Sequence, residues 1–186
     1  MEEAIFNEDK LWRQIEEVIS RIISQYMEME SVNLMPVNMA DLKRKLFANF
    51  VSIILLSNED ITIYVRTYYN YRDLKHIIPG SLGDISREFS ENYMKEYANT
   101  LGGKIASAFE QGNVSLLRSF PLITSSFSEY FFRREESEYE ISRIWKITEN
   151  ERDIYCKIDM FITDMSVMET LNKINISKSN EEIDFL

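Results

Sequence analysis

From Leu11 the apolar residues Leu11, Ile15, Val18, Ile19, Ile22, Ile23 and Tyr26 recur at spacings of three and four, the stripe of an amphipathic helix. Asn7 or Asp9 stands where a cap is needed, and the pattern predicts a helix to about Glu30, broken by Met35-Pro36. A shorter helical piece, Met39 to about Ala48, is expected to lead into an apolar run, Asn49 to Ser57. Asn58-Glu59-Asp60 is turn chemistry. Beyond it Ile61, Ile63, Val65 and Thr67 alternate with Thr62, Tyr64 and Arg66, so the two segments predict a β-hairpin. Pro79-Gly80 and Gly83 mark a loop before the longest helix candidate, Asp84 to about Glu110, which Gly112-Asn113 ends. After Pro121 the pattern is β again. Leu122 to Phe132 is apolar and hydroxyl-rich, and Glu138 to Ile147 and Asp153 to Thr163 flank the polar turn Thr148 to Arg152 as a second hairpin. Asp164 is placed to cap a last short helix through Lys173, ahead of a polar tail. The order of elements predicts an α+β fold, an antiparallel sheet of hairpins packed against long amphipathic helices.

Composition narrows the chemistry. Hydrophobic residues make up 45% of the 186 and charged residues 28%, enough apolar material for one domain with a sizeable core. Thirty-one acidic against 21 basic residues leave a formal charge of −10. Nucleic-acid and anionic-membrane binders need a basic footprint, so neither partner is expected. Cys156 is the only cysteine and His76 the only histidine, which leaves no internal disulfide and no zinc site of soft ligands. Any histidine-dependent nucleophile would have to run through His76, which has no motif around it. Cys156 alternates with Ile154, Ile158, Met160 and Ile162 and reads as a buried structural thiol. The acidic N-terminus is unlike a secretory signal, and the run Phe50 to Leu56 is too short to span a bilayer. The expected location is cytoplasmic.

The long helix carries the candidate chemistry. At about 100° per residue, Met94, Tyr97, Ala98, Leu101, Ile105, Ala108 and Phe109 fall on one side, expected against the sheet. Asn92, Glu96, Asn99, Gly103 and Glu110 fall on the other. Glu96 and Asn99 stand three apart and share one exposed patch. A glycine inside a helix costs about 1 kcal/mol against alanine, so Gly102-Gly103 asks for a reason. The one expected is close approach by another backbone, on the core side for Gly102 and the solvent side for Gly103. A bland alternative is that Glu96 and Asn99 merely solvate the helix. Glu-x-x-Asn occurs four times, at Glu30/Asn33, Glu96/Asn99, Glu110/Asn113 and Glu169/Asn172. Only Glu96/Asn99 lies deep inside a long helix opposite a continuous apolar stripe.

The segment Glu96-Tyr-Ala-Asn99-Thr-Leu-Gly-Gly-Lys-Ile-Ala-Ser-Ala-Phe109, followed by Pro121, resembles the CheC/CheX/FliY family of chemotaxis phosphatases, the CheX members most closely. The family signature is a Glu, two residues, an Asn and a later proline. Here 21 residues separate Asn99 from Pro121, slightly fewer than the family spacing, and Asn92 stands where the CheC pattern prefers Asp or Ser. The likeness covers roughly residues 45 to 163, with sharp motif matching over 92 to 121. It implies a single CheX-like domain over 1–186.

The resemblance also implies an activity: hydrolysis of the aspartyl phosphate of a CheY-like response regulator. Asn99 would orient the attacking water, and Glu96 would dock on the receiver's active-site lysine. Asn92 and Gly103, on the same face, would contact the partner. The chain itself would hold no cofactor or metal, Mg²⁺ being bound by the receiver. The runner-up is a non-catalytic adaptor for a receiver or flagellar-switch protein. A homodimer is also expected. The strand Asp153 to Thr163 and its hairpin neighbour look like a weakly protected sheet edge, with Tyr155, Lys157, Asp159 and Phe161 pointing outward. The competing account has the helix around Val167 to Leu171 covering that edge.

Overall fold

Helix α1 (Glu8–Met27) starts where the polar cap meets the apolar stripe. The Asn7 side chain accepts from the Lys10 amide at 2.9 Å, and Glu8 and Asp9 sit in the first turn, where the helix dipole favours negative charge. Its buried face is Leu11, Trp12, Ile15, Val18, Ile19, Ile22, Ile23 and Met27. The computed structural model describes residues 6–27, 32–38, 48–78, 85–126, 139–149 and 152–172. The expected helix from Met39 to about Ala48 lies outside them up to Phe47, with Ala48 itself not helical, and the loop around Pro79 and Gly83, the apolar run past Ser126 and the tail lie outside them too.

Met35-Pro36 does not merely end a helix. Leu34–Pro36 is a short strand, β1, and proline is tolerated there because the strand lies at a sheet edge. β2 (Phe50–Ser57) and β3 (Ile61–Tyr69) form the expected hairpin, in register from Phe50↔Tyr69 to Ser57↔Thr62. The Asn58 carboxamide closes the turn by accepting from the amides of Asp60 and Ile61, both at 2.9 Å. A seven-residue helix, α2 (Tyr71–Ile77), follows and was not expected. Helix α3 (Arg87–Gln111) is capped by Ser86, whose hydroxyl accepts from the Phe89 amide at 3.1 Å. Gly112 ends it, and Asn113 takes the left-handed backbone (φ 64°) that asparagine tolerates.

Two short strands, β4 (Leu117–Arg118) and β5 (Leu122–Ser125), pair antiparallel with β2. β6 (Tyr139–Glu149) and β7 (Arg152–Ile162) form the second hairpin, and α4 (Val167–Leu171) closes the described chain. Asp164 is not the α4 cap residue. The cap position is Ser166, two residues on, and the Asp164 carboxylate accepts from the Ser166 amide at 2.8 Å.

The sheet is antiparallel in the order β1-β6-β7-β3-β2-β4, with β5 also on β2. α3 covers β2 and β3, while α1 lies over β6. There Trp12 and Trp145 meet edge to face at 5.7 Å, and each indole N–H donates to a glutamate of α1, Glu8 and Glu16, at 2.7 Å. Cys156 is fully buried in this main core.

The topology corrects the expected sheet edge. β7 runs between β3 and β6, so both its sides are paired. Of the four positions taken as outward, Asp159 and Phe161 are buried. The Asp159 carboxylate pairs with Arg66 and with Lys157 and accepts from the Ser142 hydroxyl, and a buried carboxylate needs such partners. α4 does not cover an edge either: Val167, Met168 and Leu171 pack into the main core, and Asn172 is tied to the start of α1 through the Asn7 amide and Lys10. Among the described residues no helix is long and apolar enough to cross a membrane.

Candidate functional site

The apolar stripe of α3 lies where the sequence places it. Met94, Tyr97, Ala98, Leu101, Ile105, Ala108 and Phe109 are buried against the sheet. One flank of the helix meets α1, where the Tyr26 and Thr100 hydroxyls are 2.7 Å apart and Tyr93 bonds the Tyr26 carbonyl. Asn92 and Glu96 are exposed, and Asn99 and Gly103 are half-buried on the same outward side. Glu96 and Asn99 therefore stand one helical turn apart on a helix held rigid from beneath and from one flank. Among the described residues neither the Glu96 carboxylate nor the Asn99 amide has a side-chain partner.

The mid-helix glycines have different reasons, and neither is the close backbone expected from the sequence. At Gly102 a Cβ would lie 2.8 Å from Cδ1 and 3.0 Å from Cγ2 of Ile54 in β2, so the glycine lets α3 settle onto the sheet. At Gly103 a Cβ would lie 2.5 Å from Nη1 of Arg118. That guanidinium also donates to the Asn99 main-chain carbonyl at 3.2 Å. Arg118 is the residue of this neighbourhood that sequence reasoning missed. Its position depends on the pairing of β4 with β2 (Leu56↔Arg118), and two residues carry too little periodicity to announce a strand.

The other Glu-x-x-Asn copies are placed differently. Asn33 precedes β1 rather than lying in a helix, and Glu30 is outside the described residues. Asn113 has left the helix with its positive φ. The Asn172 carboxamide oxygen accepts from the Asn7 amide at 2.8 Å.

Beneath the outward face, burial dominates titration. It pushes the Tyr97 hydroxyl well above its ordinary range and raises the Cys156 thiol to about 12. Among the described residues no three His, Cys, Asp or Glu side chains gather to hold a metal ion. The face can thus offer a carboxylate, an amide and a guanidinium to another molecule. It is a convex helix surface rather than a pocket.

No protein-family model matches the chain, and no curated protein sequence is detectably similar. Solved structures do match. CheX from Vibrio vulnificus superposes with a TM-score of 0.60 at 10% identity, over 81% of this chain and 99% of that one. A chain of the CheX–CheY–BeF3–Mg complex from Borrelia burgdorferi matches with a TM-score of 0.59 at 10% identity, over 83% and 98%. A chain of the FliM–SpeE complex from H. pylori matches with a TM-score of 0.54 at 14% identity, over 89% and 95%. At such identities the likeness is one of fold: the chain has the α+β architecture of the CheC/CheX-like structures.

Proposed function

We propose that the chain is a phosphatase for the aspartyl phosphate of a CheY-like response regulator, with the outward face of α3 as its working surface. The observation that carries this reading is the pair Glu96 and Asn99, one turn apart on that face, in a fold shared with CheX bound to CheY. Hydrolysis of an acyl phosphate demands little covalent work from a catalyst; it demands an in-line water and balanced charge. The water oxygen bonds to phosphorus as the P–O bond to the receiver's aspartate breaks. Free carboxylate and inorganic phosphate result, and the water's proton passes to phosphate and solvent. The Asn99 carboxamide both donates and accepts, so it can hold a water in one orientation. A carboxylate alone accepts and an ammonium alone donates.

Glu96 acts as a docking carboxylate, pairing with the receiver's lysine and fixing α3 over the phosphoryl group. The receiver supplies the Mg²⁺ and its own acidic pocket, and Asn92 extends the contact toward the helix N-terminus. Release of phosphate from phosphorylated CheY, measured with the wild type and with Asn99→Ala, tests the reading. Losing one positioning group should lower the rate by on the order of 10²-fold, with the helical circular dichroism unchanged because Asn99 is outside the core. A variant as fast as the wild type removes Asn99 from the reaction.

A second reading has one observation in its favour, the match to a chain of the FliM–SpeE complex over 89% of this chain: the domain would bind a receiver or switch protein without catalysis. Retention of a receiver on the immobilised chain without phosphate release is its signature.

A further inference from the structure

The two ends of the Arg118 side chain are fixed by different elements. Its root lies in β4, and the next residue, Ser119, bonds Leu55 in both directions, amide to carbonyl at 2.9 Å and Leu55 amide to hydroxyl at 3.0 Å. Its tip lies on the outward face of α3, in the space a side chain at Gly103 would fill, with Nη1 on the Asn99 carbonyl. A guanidinium has five donors in a planar fork suited to carboxylate and phosphate oxygens, and the carbonyl takes one of them. Among the described residues no carboxylate pairs with it, although the chain carries ten more acidic than basic residues, 31 − 21. Its chain neighbours Leu117 and Phe120 are 79% and 95% exposed. Arginine and bulky aromatic side chains together are the composition of interface hot spots.

We propose that Arg118, seated by Gly103, is a partner-facing cation that pairs with an anionic oxygen of the receiver docked on the Glu96/Asn99 face. The proposal rests on the phosphatase reading above and adds to it the residue that meets the partner's negative charge. The oxygen belongs either to an acidic side chain around the phosphorylated aspartate or to the phosphoryl group itself, and both present the same chemistry. The two sources differ in when they are present. Carboxylates attract Arg118 in either form of the receiver, whereas a phosphoryl group, or the beryllofluoride that stands in for it, does so only in the activated form.

The test is titration of the full chain with CheY, bare and activated by beryllofluoride and Mg²⁺, for the wild type, Arg118→Ala, Arg118→Lys, Gly103→Ala and the Gly103→Ala/Arg118→Ala double variant. Arg118→Ala is expected to weaken binding of activated CheY by about tenfold or more and to flatten its salt dependence. Arg118→Lys should recover part of the loss. Gly103→Ala should weaken binding in the same direction, and should add nothing once Arg118 is absent. An equal loss from Gly103→Ala in both backgrounds overturns the seating.

Wild-type affinity in Arg118→Ala, beside an Asn99→Ala variant that no longer releases phosphate, overturns the cation and leaves the phosphatase reading standing. A wild type that neither binds CheY nor releases its phosphate removes both.

Discussion

Glu96 projects from α3 into solvent while Asn99 is half-buried beside it, so the two should respond differently to substitution. Glu96→Ala is expected to weaken both complex formation with phosphorylated CheY and turnover, and Glu96→Gln to restore little, because charge rather than shape is what pairs with a lysine. Binding and rate that match the wild type in both variants would take Glu96 out of the site. The adjacent glycines should show opposite stability effects. Gly102→Ala places a methyl 2.8 Å from Ile54, which is fully buried. Overpacking of about 1–3 kcal/mol there outweighs the helix-propensity gain of about 1 kcal/mol. Gly103→Ala meets only the movable tip of Arg118 and keeps that gain; urea midpoints of the two variants should move in opposite directions. Cys156 makes a pH prediction. Its thiol, raised by burial from 9.0 to about 12, keeps a proton in the folded chain that the unfolded chain releases. Its contribution is full below pH 9.0 and is lost as the pH rises toward 12. Burial shifts Tyr97 in the same direction. Urea midpoints should therefore fall across that alkaline range, less steeply in Cys156→Ala.

At the scale of elements, long periodic segments were legible and short ones were not. α1, α3 and both hairpins appear where spacing puts them, because three or more turns, or five or more alternating residues, average out local exceptions. β6 and β7 each reach further into their turn than expected, pairing as far as Glu149↔Arg152. Thr148, polar enough to read as loop, instead pairs across the strands with Asp153, their side chains joined at 2.8 Å. α2 and β4 escaped because seven and two residues hold too few apolar positions to define a period. The boundary of α3 rests on Ser86 rather than the more acidic start near Asp84. Ser86→Ala, which deletes the bond to the Phe89 amide, should cost about 1 kcal/mol, read as a lower urea midpoint with the helix retained.

At the scale of the whole molecule, the two tryptophans join the first helix to a strand more than 120 residues later, Trp145 bonding Glu16 across a separation of 129. Trp145→Ala should cost about 3–5 kcal/mol, measured by denaturant unfolding, since it removes a fully buried ring, its edge-to-face partner contact and a hydrogen bond together. The strand order takes β7 out of the edge on which a dimer was expected, because β7 lies inside the sheet and Arg66 of β3 pairs with its Asp159; its hairpin neighbour β6 is paired by β1 only from Trp145 to Ile147 among the described residues. Alternation along one strand says which residues share a face, not which strand lies alongside; that order is decided by contacts between distant segments. The sequence by itself determined the fold class, the amphipathic α3 and the exposed placement of Glu96 beside Asn99, since each is a periodicity that one element carries alone. Tertiary structure alone decided that Gly102 admits Ile54, that β7 is central, and that Arg118 reaches across from β4 to lie on Gly103. Each of those is an approach of residues far apart in the chain, and packing between elements, not spacing within one, brings them together.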